Sequence, residues 1–242
     1  MPAADHEFGW QILPDLWAVS WLGMCAPQID CHVFVLRGPD GLLLVDCGTP
    51  WGHERIVRNM AHWGLSIRDV RTILLTHGHV DHVSGGHLFK ARGAEILGHR
   101  EIKTLVECQW EATGALNAQG TSYRVDGAIA DGDLIRRCGF DVRVIGTPGH
   151  TAGCISFLIT VNGARCLFTG DLVMSNGKPG WSGDPGYSRA ALVASLEHLL
   201  QVPFDHWCFG HGVILHDGGR HLRKALDMGA QGLWDEPAPR SA

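Results

Sequence analysis

The chain has 242 residues, 45% hydrophobic and 19% charged, with a formal net charge of −5, an ordinary balance for a globular protein. That charge excludes the broad basic field needed to hold nucleic acid or an anionic membrane, leaving a small molecule as the expected partner. The opening "MPAADHEFGW" has neither a basic nor an apolar segment and no apolar run could span a bilayer, so the expected location is the cytoplasm.

The first predicted elements are two strands, 31–38 and 41–48, joined by the turn Pro39-Asp40-Gly41. A helix is expected over 52–63, where Ile56, Met60 and Trp63 recur at helical spacing and Gly64 supplies the stop. A strand at 71–77, a helix from about 81 and a strand at 94–99 follow, and Ile102, Leu105, Val106 and Trp110 mark one face of another helix. From about residue 127 the pattern turns to strands, at 133–140, 141–150, 153–163 and 164–171, with Asn162-Gly163 as a hairpin turn. A helix over 188–200, a strand at 205–211 and a helix at about 217–228 complete the chain. These elements predict one domain over 1–242, of α+β class, with two αβ halves at roughly 1–120 and 121–242. Its layering is a four-layer αββα sandwich, two mixed β-sheets face to face and flanked by helices. The eight cysteines are scattered without a C-x-x-C pair and read as small buried hydrophobes rather than a disulfide framework.

The sequence carries 15 histidines, and histidine is the commonest metal ligand among side chains. In "LLTHGHVDHVSGG", His77, His79, Asp81 and His82 crowd the end of an apolar strand. Near a strand end the H-x-H spacing aims both imidazoles the same way, and a helix starting at about Asp81 would bend Asp81 and His82 back toward the same point. A histidine-rich surface loop is the competing reading. Three later segments repeat the setting, each an apolar run ending in glycine and then a candidate ligand: His150 in "VIGTPGHT", Asp171 in "CLFTGD" and His211 in "HWCFGHG". Glycine permits close backbone approach, although each of the three, taken alone, also reads as a turn residue. Together they supply enough imidazole and carboxylate for two divalent ions, Zn²⁺ foremost, with Fe²⁺ or Mn²⁺ also compatible.

From about residue 30 to 225 the sequence resembles the metallo-β-lactamase superfamily, whose H-x-H-x-D-H motif stands here as His77, His79, Asp81 and His82. The resemblance implies His77, His79 and His150 on one metal, Asp81, His82 and His211 on the other, and Asp171 bridging them. It implies that Asp46, in "VDCG", orients a ligand from behind, against a plain turn role before Gly48. The activity implied is hydrolysis by a hydroxide bridging the metals, with Asp81 accepting its hydrogen bond and passing a proton to the leaving group. No G-x-S-x-G elbow offers a serine nucleophile.

Substrate is less constrained, since one scaffold hosts many reactions. The family's true β-lactamases carry Cys or Ser where Asp171 stands, which disfavours β-lactam hydrolysis. His79, in place of Glu, disfavours diiron oxygen chemistry. Asp171 resembles the bridging acid of glyoxalase II-like thioesterases and lactonases. The 31 residues after His211 are too few for the helical glutathione-binding extension of glyoxalase II, and Cys154 departs from its pattern. A small carboxylic ester, thioester or lactone, is therefore expected. The alternatives are β-lactam hydrolysis, a mononuclear iron persulfide dioxygenase, which shares "GHT.GC" but continues differently after the Asp, and a non-catalytic metal-binding protein. In the loop "MSNGKPGWSGDPGY", Lys178, Trp181 and Tyr187, with Trp51, are candidates for the substrate pocket; each also reads as a packing or solvated residue. A homodimer is compatible with the sequence.

Overall fold

The computed structural model describes residues 7–20, 31–109, 122–212 and 215–234. Among the described residues thirteen strands form two sheets. The first holds β1 (Trp10–Leu13), β2 (Leu16–Ser20), β3 (Val33–Gly38), β4 (Gly41–Val45), β5 (Val70–Leu74), β6 (Glu95–Gly98) and β7 (Gly127–Ala128), side by side in chain order. The second comprises β8 (Leu134–Arg137), β9 (Phe140–Gly146), β10 (Ile155–Val161), β11 (Ala164–Gly170), β12 (His206–Phe209) and β13 (Leu215–His216), in the order β13-β12-β11-β10-β9-β8. Both are mixed: β4, β5, β6 and β7 run parallel, as do β11 and β12, and the other pairings are antiparallel.

Alternation along the strands builds the layers. On β3, Val33 and Val35 join one apolar cluster while Phe34 and Leu36 join another, because successive side chains face opposite sides of a sheet. The first cluster packs the outer face of the first sheet against Ile56 and Met60 of α1 (His53–His62), Phe89 of α3 (Gly86–Lys90) and Ile102 of α4 (Arg100–Thr104). The second lies between the sheets, where Leu43, Val45 and Leu74 meet Val142, Val144, Phe157 and Phe168. The third covers the far face of the second sheet with Leu192, Leu196 and Leu199 of α5 (Arg189–Leu199) and Leu222 of α6 (Gly218–Ala230). Three apolar interfaces separate four layers, which is the expected αββα sandwich. Each fully buried Leu, Ile or Phe contributes about 1.5–3 kcal/mol, so the sheets are held face to face chiefly by this middle cluster.

Several boundaries differ from expectation. β1 and β2 were not foreseen. The strand expected at 71–77 stops at Leu74, because beyond it Thr76 gives its N–H to the Asp46 side chain rather than to a neighbouring strand. The helix expected from 81 is broken into α2 (Val80–Val83) and α3 at Ser84-Gly85. The helix marked by Ile102 to Trp110 is α4 followed by a π-type turn over Leu105–Gln109; Trp110 lies outside the described residues. The turn Asn162-Gly163 has both residues at positive φ, +48° and +83°, as a tight hairpin requires. The six described free cysteines, Cys31, Cys47, Cys138, Cys154, Cys166 and Cys208, are all buried. Among the described residues no helix is long and apolar enough to cross a membrane.

Candidate metal centre

The site lies where strands of both sheets end. After β5, Thr76 turns the chain out of the sheet: its N–H and hydroxyl both go to the Asp46 carboxylate at 2.8 Å, and its carbonyl accepts Ile155 N–H from the second sheet at 2.9 Å. His77 and His79 follow at once. α2 then folds back, with His82 N–H on the His79 carbonyl at 3.0 Å, and brings Asp81 and His82 round. His150 comes from the loop after β9, Asp171 from the residue after β11, and His211 from the turn after β12.

The seven side chains gather into two groups, His77 with His79 and His150, and Asp81 with His82, Asp171 and His211; within each, one ligand atom per residue lies within 4.8 Å of the others. In the first, His79 Nδ1 lies 2.9 Å from His150 Nε2. In the second, His211 Nε2 is 3.0 Å from Asp81 Oδ2, and His82 Nε2 is 3.2 Å from Asp171 Oδ1. Asp171 stands between the groups, its Oδ2 3.3 Å from His211 Nε2 and 3.9 Å from His150 Nε2.

Electrostatics divides the groups. Burial, reinforced by His82 and His150, pushes the pKa of His77 well below the ordinary imidazole range, and burial takes His150 down to about 4. These rings are therefore neutral and keep their lone pairs, the form a metal requires. Around His211 burial opposes the charge, yet the Asp171 carboxylate and hydrogen bonds with Asp171 and Asp81 raise its pKa to about 9. Burial likewise works against a charged His82, but Cys31 and the carboxylates of Asp171, Asp81 and Asp46 hold it well above the usual range. Against their own burial, Asp171 and Asp81 are pulled down by His82 and His211. His77 Nε2, His82 Nε2, His150 Nδ1 and Asp171 Oδ1 are buried without a hydrogen-bond partner among the described residues; the 3.2 Å approach of His82 to Asp171 lacks hydrogen-bond geometry. Leaving such groups unsatisfied costs about 1–3 kcal/mol each; divalent cations would engage His77 Nε2, His82 Nε2 and Asp171 Oδ1, whereas His150 Nδ1 faces Gly180 and its Nε2 is the atom turned toward His79 and Asp171. The donor set, imidazole and carboxylate without thiolate, fits zinc and its neighbours.

Supporting residues hold these candidate ligands in place. Asp46, at φ +60°, occupies a left-handed conformation that costs a non-glycine residue energy. There its Oδ2 reaches His82 Nδ1 at 2.7 Å while the Thr76 bonds fix both carboxylate oxygens. The sequence reading places Asp46 behind a candidate ligand, and the carboxylate lies against His82. Gly210 also proves necessary, since a Cβ there would sit 2.0 Å from Asp171 Oδ1. One contact was missed: Asp184 Oδ2 lies 3.0 Å from His79 Nε2. Its signal in the sequence was an acid in the turn "SGDPG", within the loop singled out for other residues.

The four pocket candidates fare differently. Trp181, 65% exposed, rests its ring 5.6 Å from that of His79. Trp51, 41% exposed, stands just before α1. Tyr187 packs against the third apolar cluster. Lys178 takes part in a turn, its N–H on Asn176 Oδ1 and its carbonyl accepting Met174 N–H. A groove of about 790 Å³ opens beside His79 and Asp184, lined by Leu105 and Ile102, by Thr151 and Gly153, and by Arg100 and Glu101.

Known proteins share this fold in outline. BJP-1, a subclass B3 metallo-beta-lactamase of Bradyrhizobium japonicum, superposes with a TM-score of 0.75 at 21% identity, covering 94% of this chain and 93% of its own; at that identity the likeness is one of fold. A hydroxyacylglutathione hydrolase of Brucella anthropi is 32% identical over 135 residues, 55% of this chain and 44% of that protein. A probable polyketide biosynthesis zinc-dependent hydrolase, BaeB, of Bacillus velezensis is 28% identical over 169 residues, 70% of this chain and 65% of its length. The chain thus spans less than two thirds of either relative. A family model matches residues 26–211, a stretch that includes all seven gathered side chains, and on that match the chain belongs to the metallo-beta-lactamase superfamily.

Proposed function

We propose that this protein is a metal-dependent hydrolase that cleaves a carboxylic ester-type substrate, a thioester first and a lactone second, with two divalent cations, most simply zinc. The carrying observation is the convergence of seven side chains into two adjacent groups with Asp171 between them. In this reading His77, His79 and His150 hold one ion, Asp81, His82 and His211 the other, and Asp171 both. Bound there, such ions lower the pKa of water toward neutrality and polarise a carbonyl oxygen.

The chain's own residues do the remaining work. Asp46 and the Thr76 bonds fix the His82 ring, and Gly210 lets the backbone pass beneath Asp171. Asp81, with 16% of its side chain exposed against 7% for Asp171, is the carboxylate that can accept a hydrogen bond from the attacking water. It then delivers the proton to the departing group. The substrate's longer arm lies along the groove beside His79. At about 790 Å³ this groove is within the range for drug-sized ligands and is roomy for a bare lactone ring, which supports the thioester reading. The name of the Brucella relative, a hydrolase of an acylated glutathione, and the zinc dependence named for BaeB support the same reading.

The test is metal analysis followed by turnover on thioester, lactone, β-lactam and phosphodiester panels. Two zinc ions per chain with thioester turnover support the proposal. A single iron, or metal-loaded protein inert on every ester, overturns it.

A further inference from the structure

Each of the two groups contains one imidazole backed by a carboxylate. In the second group it is His82, whose Nδ1 meets Asp46. In the first it is His79, whose Nε2 meets Asp184 at 3.0 Å while its Nδ1 faces His150 Nε2 at 2.9 Å. We infer that Asp184 is a positioning residue: by accepting the Nε2–H of His79 it fixes that tautomer, turns Nδ1 toward His77 and His150, and so sets the affinity of the three-imidazole group for metal. The inference rests on the reading of that group as a metal site.

Asp184 is built to stay where it is. Its Oδ1 accepts Gly186 N–H at 2.7 Å, and its carbonyl accepts Tyr187 N–H at 2.9 Å. The surrounding loop is tied to the ligand-bearing segments at two further points, Gly180 N–H on the Asp171 carbonyl at 3.1 Å and Ser188 N–H on the Gly149 carbonyl at 2.8 Å. The carboxylate is therefore held by backbone bonds that need no ion, and its remaining oxygen points at one nitrogen of one ring. Above it the Trp181 ring lies against His79 and over Gly183, where a Cβ would come within 2.3 Å of the indole. That inclined contact, with the ring planes 56° apart, limits the space on one side of His79, and the carboxylate restrains its rotation. Imidazole ligands backed in this way owe about 10- to 100-fold of their metal affinity to the backing group.

The experiment compares wild type with Asp184→Ala and Asp184→Asn, each as the full chain. Long-range ¹H–¹⁵N spectra of the metal-free proteins read the His79 tautomer, and chelator competition with zinc reads the affinity of each site. Cobalt substitution reports the ligand geometry of the three-imidazole group through its visible absorption. Expected is the Nε2–H tautomer in wild type, lost in Asp184→Ala. That variant should bind one of its two ions about 10- to 100-fold more weakly with a changed cobalt spectrum, and Asp184→Asn, whose amide oxygen can still accept, should recover part of the loss. Circular dichroism of the metal-free variants confirms folding; should Asp184→Ala unfold, Asp184→Asn and the wild-type tautomer carry the test. Unchanged affinities and spectra in Asp184→Ala, or an Nδ1–H tautomer in wild type, overturn the inference. Wild type that takes up no zinc overturns the metal-site reading instead, a distinct result.

Discussion

Asp46 Oδ2 lies 2.7 Å from Nδ1 of His82, and neither side chain is more than 2% exposed. The carboxylate holds this ring against burial that would otherwise leave it unpaired, and it does so from a strained backbone conformation. Asn tolerates the left-handed region, so Asp46→Asn should fold. It should lose about 10- to 100-fold in affinity for the ion proposed to sit among Asp81, His82 and His211, measured by chelator competition. Equal affinity in the variant would remove Asp46 from any role in the site.

Asp171→Ala removes the carboxylate that, among the described residues, faces both groups. Most activity should vanish and the bound metal should fall below that of wild type, by elemental analysis of dialysed protein. An unchanged rate would contradict the shared-ligand assignment.

Gly210→Ala tests close approach. The new methyl would stand 2.0 Å from Asp171 Oδ1 and 2.8 Å from His82 Cε1, so the strand end must shift. Overpacking of this kind costs about 1–3 kcal/mol. Denaturant melts should show that loss together with reduced metal content, whereas a wild-type profile would mean that the turn yields freely.

His53 predicts a pH dependence away from the site. It is 5% exposed, neither ring nitrogen has a hydrogen-bond partner among the described residues, and its ring meets Phe89 edge-on. Burial, helped by Arg92 and His87, lowers its pKa to about 4. In the unfolded chain the group titrates near 6.5, so between those values the unfolded state binds more protons. Its contribution is complete above about pH 6.5 and is lost as pH falls toward 4, by at most about 3 kcal/mol. Metal-free His53→Leu should show a shallower fall in stability over that window than wild type. Parallel curves would refute the assignment.

Much of this was readable in the sequence. The seven gathered residues announce themselves because each follows an apolar strand at a glycine or histidine turn, and strand alternation at Val33 to Leu36 forecasts two buried faces. β1 and β2 escaped because "LWAVS" is buried on both faces and shows no alternation, with only Pro14-Asp15 to mark the turn. β7 and β13 are two residues long, too short for any periodicity. Asp184 escaped for another reason: its partner is 105 residues away, and only the folded chain brings the two together.

The seven side chains are shared unequally between the sheets. His77, His79, Asp81 and His82 hang from the end of β5 in one, whereas His150, Asp171 and His211 hang from β9, β11 and β12 in the other. A cation seated among them would act as a rivet through two leaves that otherwise adhere by their greasy inner surfaces and a few hydrogen bonds, such as Ile155 N–H to the Thr76 carbonyl. Saturating it at a thousandfold excess over its dissociation constant adds about 4 kcal/mol against unfolding. If the proposed ions are held there, a chelator should therefore lower the melting temperature along with any activity, tying the protein's working life to the supply of metal.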